Sequence, residues 1–381
     1  MKWEKVAIKD ICTGIYDGPH ATPPLSDTGA IFLGISNFNN GRLDFSDIRY
    51  ISEDDLPKWT KRVIPQKNDI VFSYEATLNL YAIIPEGFRG CLGRRMALLR
   101  VDETKADYKF LYYYFYSDTW RATVNENIVL GATVDRIPLI KFPDFPVELP
   151  PLETQHRIAD ILSAYDDLIE NNQRQIKLLE EAAQRFYKEW FVDLHFPGHE
   201  NTKILDGVPE GWRKFPLEEI APVVTGKKDA NYGDKGGNYP FFTCSQETIT
   251  APGYSFDTSA VILAGNGDFN VKLYRGKFEA YQRTYVLAPF DHSNLFNLYF
   301  TVQDNMEALA KGASGSTIKF LTKGMLQKIL VLTADKKILD KFNDYEENIQ
   351  QKVEALKKQV EDLTEIRNRL LPKLMSGEVE V

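Results

Sequence analysis

The chain repeats itself once, and this duplication limits the folds open to it more than any other feature. Three segments recur in the same order: Trp3–Ile8 as Trp212–Leu217, Gly131–Val134 as Gly315–Ile318, and Ile158–Asp160 as Ile338–Asp340. Ordered matches of this kind indicate a duplicated structural unit. The separation between matching segments shrinks along the chain, so we expect shorter loops in the second copy.

Each copy has a β-rich block followed by a long helical segment. Short apolar runs bounded by Gly, Pro and Asn predict strands at 31–33, 69–72, 95–100, 239–243, 260–263 and 281–287. Asn266-Gly267 predicts a tight turn between two strands. Aromatic-rich stretches at 110–121 and 295–309 predict short helices whose aromatic side chains belong to the core.

The two long segments have the 3.5-residue period of a coiled coil. The predicted seam of the first is Ile158, Leu162, Tyr165, Ile169, Asn172, Ile176, Leu179, Ala183, Phe186 and Trp190. That of the second is Phe342, Tyr345, Ile349, Lys352, Leu356, Gln359, Leu363, Ile366 and Leu370. We expect the two helices to pair antiparallel, with the first ending before Pro197-Gly198 and Pro372 closing the second.

Composition excludes several classes of protein. The 381 residues are 43% hydrophobic and 26% charged, with a net charge of −8, as in ordinary globular proteins. No apolar run is long enough for a membrane helix, and Met1–Asp10 lacks the apolar core of a signal peptide, so we expect a cytoplasmic protein with no membrane partner. The acidic excess is concentrated in two short segments, 151–200 and 336–381, and the two larger blocks are near neutral. A protein that binds phosphates alone is usually basic, so any nucleic-acid binding should be shared with a partner.

Motifs for catalysis and for metal binding are absent from the sequence. Thr225–Lys228 lacks the first glycine and the Ser/Thr of a phosphate-binding loop, and no GxSxG elbow occurs. His195 and His199 are close but belong to no HExxH helix, and the three cysteines are scattered. We therefore expect no catalytic residues and no metal site.

Polar loop residues are the remaining candidates for function. In the first block they are Asp17, His20, Thr22, Ser36, Asn37, Tyr74, Asn79, Arg94, Arg95, Thr133 and Arg136. In the second block they are Lys227, Lys228, Thr243, Ser245, Gln246, Asn266, Asp268, Asn270, Gln282, Arg283, Thr284, Ser316, Thr317 and Lys319. Such side chains pair with base edges or hold phosphates, and we predict that they bind DNA. The alternative for any one of them is ordinary loop polarity.

Five segments form distinctive motifs: Leu149–Leu162 (LPPLETQHRIADIL), Ala183–Phe191 (AQRFYKEWF), Ile15–Pro23, Gly267–Val271 and Ala280–Tyr285. They resemble motifs of the specificity subunit of type I DNA restriction–modification systems. The duplicated layout of block and helix extends the resemblance over essentially the whole chain. One departure is that the second copy, at Val331–Ile338, lacks the Pro-Pro-Leu-Glu-Thr-Gln entrance of the first.

The resemblance implies an α+β fold with two α/β target-recognition domains containing twisted sheets. Two long antiparallel coiled-coil helices would separate the domains in a pseudo-two-fold arrangement. The implied boundaries are 1–150 for the first recognition domain, 151–196 for the central spacer helix, 197–335 for the second recognition domain and 336–381 for the C-terminal spacer helix.

The resemblance also implies a non-catalytic subunit that carries no cofactor of its own. Each block would read one half of a bipartite, asymmetric target in double-stranded DNA. The helices would dock two modification subunits, adenine-N6 methyltransferases that bring S-adenosylmethionine. Two restriction/translocase subunits using ATP and Mg²⁺ can join them. An alternative from the residues alone is a coiled-coil adaptor whose two domains bind proteins, and a third is an enzyme with an unrecognised site.

Overall fold

The computed structural model describes residues 3–130, 134–315 and 319–381. It confirms the predicted α+β class. Its contacts divide the chain into two compact units, Met1–Asn172 with Lys358–Val381, and Gln173–Lys357. We call these the first and second units.

The first unit is built around a four-stranded antiparallel sheet in the order Cys12–Asp17, Met96–Val101, Ile70–Ser73 and Tyr81–Ile83. A second sheet has the order Tyr50–Ile51, Ala30–Leu33 and Gly90–Leu92, and its last two strands are parallel. Glu4–Ala7 pairs with Pro146–Leu149, and Phe38–Asn39 pairs with Arg42–Leu43. Its shorter helices are Leu56–Trp59, Tyr108–Tyr114 and Asp118–Asn127, with 3₁₀ turns at Ile8–Ile11, Ile35–Asn37 and Phe142–Asp144.

Aromatic side chains fill the core of the first unit, as the sequence predicts. Trp120 is fully buried and its indole nitrogen donates a hydrogen bond to the Tyr81 hydroxyl at 2.8 Å. The Phe72 and Phe142 rings stack with their centroids 4.7 Å apart. The predicted helix over 110–121 is two helices, because Ser117 caps a new one by accepting a hydrogen bond from the Trp120 amide.

The second unit contains a six-stranded sheet in the order Val223–Thr225, Thr284–Leu287, Phe256–Ala264, Val271–Ala280, Tyr239–Phe242 and Ile249–Ala251. Arg213–Pro216 pairs with Leu330–Thr333, and Ile204–Leu205 pairs with Val208–Pro209. Its shorter helices are Leu217–Ile220, Leu295–Asp304, Met306–Gly312 and Lys323–Gln327, with 3₁₀ turns at His199–Asn201, Ala230–Tyr232 and His292–Asn294.

The strand pairing repeats between the units and confirms the duplication. In each unit the first strand of the copy pairs antiparallel with the strand that leads into a long helix. A parallel strand pair also occurs in each unit: Ala30–Leu33 with Gly90–Leu92 in the first, and Tyr239–Phe242 with Val271–Ala280 in the second. The two copies therefore share a topology as well as a sequence pattern.

Two long helices contribute to both units. The central helix runs from Leu152 to Tyr187 and continues as a π-helical turn, Lys188–Val192. The C-terminal helix runs from Lys336 to Met375, through Pro372, which the sequence analysis wrongly expected to end it. Proline has no backbone N–H, so the helix lacks the bond that residue 372 would donate to the Asn368 carbonyl, and it ends three residues later, at Met375.

The helix segments pair antiparallel within each unit, as predicted. In the first unit Asp166 contacts Arg367, and Asn172 contacts Gln359. In the second unit Lys357 donates to Glu180 at 2.9 Å, and the Phe186 ring stacks on Phe342.

The predicted seam of the C-terminal helix is wrong at four positions. The exposed residues are Tyr345, Lys352, Gln359 and Ile366. The residues that follow them are buried (Glu346 and Val353) or half-buried (Val360 and Arg367). The period of 3.5 residues is correct, but the first step after Phe342 is four residues, to Glu346, and not three, to Tyr345. The charge of Glu346 disguised this register in the sequence.

Candidate nucleic-acid interface

In the first unit, three loop segments meet where the strand Ile70–Ser73 ends. The Tyr74 amide donates to the Arg95 carbonyl at 3.1 Å, and the Ile137 amide donates to the Tyr74 carbonyl at 2.8 Å. Glu75 and Arg136 form an isolated β-bridge. These bonds bring the predicted residues Tyr74, Arg95 and Arg136 together, although they are far apart in sequence.

The backbone of this loop cluster is strained. Ala76, Asn79 and Arg95 have φ angles of 70°, 61° and 71°, in the left-handed region that side chains disfavour. Strained residues persist only where surrounding contacts enforce them, and they are concentrated at functional sites. The Ala76 amide supplies one such contact by donating to the Asp135 carbonyl at 3.1 Å.

Asp17 holds the neighbouring loop together. Its Oδ2 lies 2.8 Å from His20 Nε2 and 3.3 Å from Arg62 Nη1, which also donates to the Gly18 carbonyl at 3.0 Å. Burial raises the pKa of the Tyr74 hydroxyl, and the nearby Asp17 carboxylate raises it further. The sequence analysis missed Arg62. The basic pair Lys61-Arg62 was a signal for it, but nothing in the sequence placed that pair beside Asp17.

The remaining predicted residues of the first unit differ in exposure. The Asn37 side chain is buried, and its amide group donates to the carbonyls of Asp44 and Asp47 while its oxygen accepts from Gly34. It therefore stabilises its own loop. Asn79 is half-buried and accepts from the Tyr81 hydroxyl at 3.3 Å. The exposed ones are Thr22, Ser36, Arg94 and Arg136, and Thr133 lies outside the described residues.

The second unit has a matching cluster at the end of Phe256–Ala264. The Gly265 amide donates to the Arg283 carbonyl at 2.9 Å, and the Leu321 amide donates to the Gly265 carbonyl at 2.8 Å. Asn266 forms an isolated β-bridge with Phe320. The Gln282 amide donates to the Lys228 carbonyl at 2.9 Å, which adds the Lys227-Lys228 segment.

Several polar groups of this cluster bind its own backbone. Asn270 Nδ2 donates to the Cys244 carbonyl at 3.2 Å, and Lys272 Nζ donates to the Ser245 carbonyl at 2.8 Å. Burial lowers the pKa of Lys272, which the sequence analysis did not select. Thr284 is fully buried, with its hydroxyl 3.8 Å from the Cys244 sulfur. These contacts fix the loop that presents Ser245 and Gln246.

The other predicted residues of the second unit lie at or near the surface. Lys228 Nζ is 4.3 Å from the centroid of the Tyr232 ring, and the Thr243 hydroxyl accepts from the Ser245 amide at 3.2 Å. Those that are exposed are Lys227, Ser245, Gln246, Asp268, Gln282, Arg283 and Lys319. Asn266 is half-buried, and Ser316 and Thr317 lie outside the described residues.

The two clusters occupy the same point of the duplicated fold. Tyr74 and Gly265 make equivalent hydrogen bonds, and Arg95 corresponds to Arg283. The isolated bridges make Asn266 the counterpart of Glu75. Each unit thus presents an arginine at the same place among different neighbours, which suits two readers of different sequences.

Two kinds of feature are absent from the described parts of the chain. No group of three or more His, Cys, Asp and Glu side chains is arranged to hold a metal ion. In the same parts, no helix is both long and apolar enough to span a membrane.

Residues 1–181 and 209–362 match the family model described as the type I restriction modification DNA specificity domain. The chain is 37% identical over 176 residues to the EcoDI specificity subunit of Escherichia coli, covering 45% of this chain and only 39% of that subunit. It is 26% identical over 370 residues to the MjaIX specificity subunit of Methanocaldococcus jannaschii, covering 87% and 82% of the two chains.

The fold is similar to the crystal structure of the type I restriction–modification S subunit from M. genitalium. The TM-score is 0.65 at 19% sequence identity, over 98% of this chain and 96% of that one. The family model matches both copies of the repeat and includes both loop clusters. The chain therefore belongs to the type I restriction–modification DNA specificity family.

Proposed function

We propose that this chain is the DNA specificity subunit of a type I restriction–modification complex, with each loop cluster reading one half of a bipartite, asymmetric target. The repeated placement of Arg95 and Arg283 carries this proposal. Arginine is the commonest side chain in specific contacts with guanine. The different neighbours of the two arginines support two different half-sites.

The subunit itself is non-catalytic in this proposal, and it acts in the cytoplasm together with its partners. Two adenine-N6 methyltransferase subunits would supply S-adenosylmethionine and the chemistry. Two restriction/translocase subunits would bind and use ATP and Mg²⁺. A chain with a net charge of −8 is poorly suited to gripping phosphates alone, which supports sharing that contact with partners.

The long helices are the proposed docking surfaces for the methyltransferases. In the first unit Leu168 and Ile366 expose about half of their surface, and in the second unit Leu178 and Tyr345 do the same. Large apolar side chains left exposed on a helix favour a protein partner. The 36-residue central helix is about 54 Å long and would limit the separation between half-site centres to about 16 base pairs.

The test is a double variant, Arg95→Ala with Arg283→Ala, purified with its methyltransferase subunits. Binding to target DNA should be lost, while the assembled complex still elutes as the wild type does. The adaptor alternative predicts that DNA binding survives and that assembly suffers. Methylation or cleavage by the isolated wild-type chain would contradict the non-catalytic assignment.

A further inference from the structure

Arg95 is only half-exposed, and its guanidinium lies beside a neighbouring carboxylate. Its Nε lies 3.5 Å from Glu75 Oε1. That nitrogen is buried and has no hydrogen-bond partner. Glu75 is therefore the group that faces the inner edge of the guanidinium.

The outer edge of the same guanidinium has no partner among the described residues. The Arg95 side chain is 35% exposed, and neither Nη1 nor Nη2 donates a hydrogen bond to a residue that the structure describes. These two nitrogens are parallel donors that match the O6 and N7 acceptors of guanine. The Nη1 and Nη2 end of the side chain is therefore the part available to a ligand, because Nε is buried.

The backbone fixes this orientation from both sides. Glu75 is held by its bridge to Arg136, and Arg95 is held by the hydrogen bond from the Tyr74 amide to its carbonyl. Arg95 also has a left-handed φ of 71°. Both partners of the pair consequently start from rigid positions.

The second unit supplies an internal comparison. Arg283 takes the corresponding place, but the counterpart of Glu75 is the uncharged Asn266. Arg283 is exposed, and no ion pair or hydrogen bond of its side chain is found among the described residues. Among the described residues, Arg95 has a carboxylate partner and Arg283 has none, although the backbone hydrogen bonds around them are equivalent.

We infer that Glu75 is a positioning residue that orients Arg95 for end-on contact with one base pair of the half-site read by the first unit. This inference rests on the proposed function, and it adds a specificity-determining residue to the predicted reading set. Orienting the guanidinium in advance lowers the cost of ordering it on binding, and sharpens discrimination between bases.

The experiment uses the complex of this chain with its methyltransferase subunits. Its target is first mapped by sequencing methylated DNA, and duplexes are then made with each base pair of both half-sites replaced in turn. Methylation rates are measured for wild type, Arg95→Ala, Glu75→Gln and the double variant. Glu53→Gln, which breaks the exposed pair of Glu53 with Arg89 in the same unit, is the matched control.

Arg95→Ala should reduce discrimination at one base pair by about tenfold to a hundredfold. Glu75→Gln should reduce discrimination at that same base pair by roughly threefold to tenfold, because it acts through Arg95. The double variant should be no worse than Arg95→Ala, and Glu53→Gln should match the wild type.

Three results would overturn the inference: unchanged discrimination in Glu75→Gln, a change at a different base pair, or effects that multiply in the double variant. Failure of the proposed function looks different. In that case the wild-type complex has no split target, or Arg95→Ala methylates every duplex as the wild type does.

Discussion

Glu346 is a carboxyl group buried inside the second unit without a partner. It is fully buried on the C-terminal helix, and neither of its oxygens has a hydrogen-bond partner among the described residues. The Tyr299 ring system lies close enough to interact with it electrostatically. Arg275 pairs with the neighbouring Glu347 at 2.7 Å.

Burial raises the pKa of Glu346 from its ordinary 4.5 to about 8. Below pH 4.5 the folded and unfolded forms are both protonated, and the group has no effect on the pH dependence. Between pH 4.5 and pH 8 the unfolded chain releases the proton while the folded chain retains it. Stability therefore falls as pH rises through this window, by about 1.4 kcal/mol per pH unit, or about 3 kcal/mol by pH 7.

Glu346→Gln replaces the group with a neutral side chain of the same shape. The variant should equal the wild type in stability near pH 4.5 and exceed it by about 3 kcal/mol at pH 7. Chemical unfolding from pH 4.5 to pH 8.5, followed by the fluorescence of the buried Trp190 and Trp212, measures this difference. Glu354→Gln removes an exposed carboxylate from the same helix and controls for loss of charge.

Parallel pH profiles for wild type and Glu346→Gln would refute the reasoning. The same conclusion would follow if Glu354→Gln gained stability at pH 7 by the same amount, because the effect would then come from net charge.

Three further predictions concern the helix pair and the reading loops. Asp166 accepts hydrogen bonds from Arg367 at 2.5 Å and from the Tyr113 hydroxyl at 2.6 Å. Asp166→Asn should therefore lower the free energy of unfolding by about 1–3 kcal/mol in chemical unfolding, and a loss below about 0.5 kcal/mol would contradict this. Asn172 is a buried polar residue of the helix seam that donates to Gln359 at 3.2 Å. Because a polar seam residue fixes the register at a cost in stability, Asn172→Leu should raise the unfolding midpoint, and a lower midpoint would contradict this. Arg283→Ala should weaken discrimination by about tenfold to a hundredfold in one half-site, measured by methylation of substituted duplexes, and equal loss in both halves would exclude two independent readers.

The duplication and the main strands could be predicted from the sequence because they depend on local patterns. The structure confirms the correspondence between Trp3–Ile8 and Trp212–Leu217, since both contain the first strand of their copy. It also confirms the 3.5-residue period of the long helices. The predicted seam register of the C-terminal helix is wrong, because Glu346 and Arg367 are charged and the sequence analysis assigned them to the surface. A sequence pattern cannot show that a carboxyl group is buried in its protonated form.

The site was predicted less completely because residue type does not reveal which way a loop side chain points. Asn37 and Thr284 have suitable chemistry, but both are buried among their own neighbours. Arg62 reaches Asp17 across a long sequence separation, so only the folded chain shows their contact. The contribution of Glu75 likewise depends on its distance from Arg95.

The most direct test of the account is to map methylated bases in DNA from cells that express this chain with its neighbouring methyltransferase. The account predicts N6-methyladenine at a split, asymmetric motif with a fixed gap, and loss of that motif when this chain is deleted. Absence of a split motif, with the methyltransferase active and bound to this chain, would contradict it.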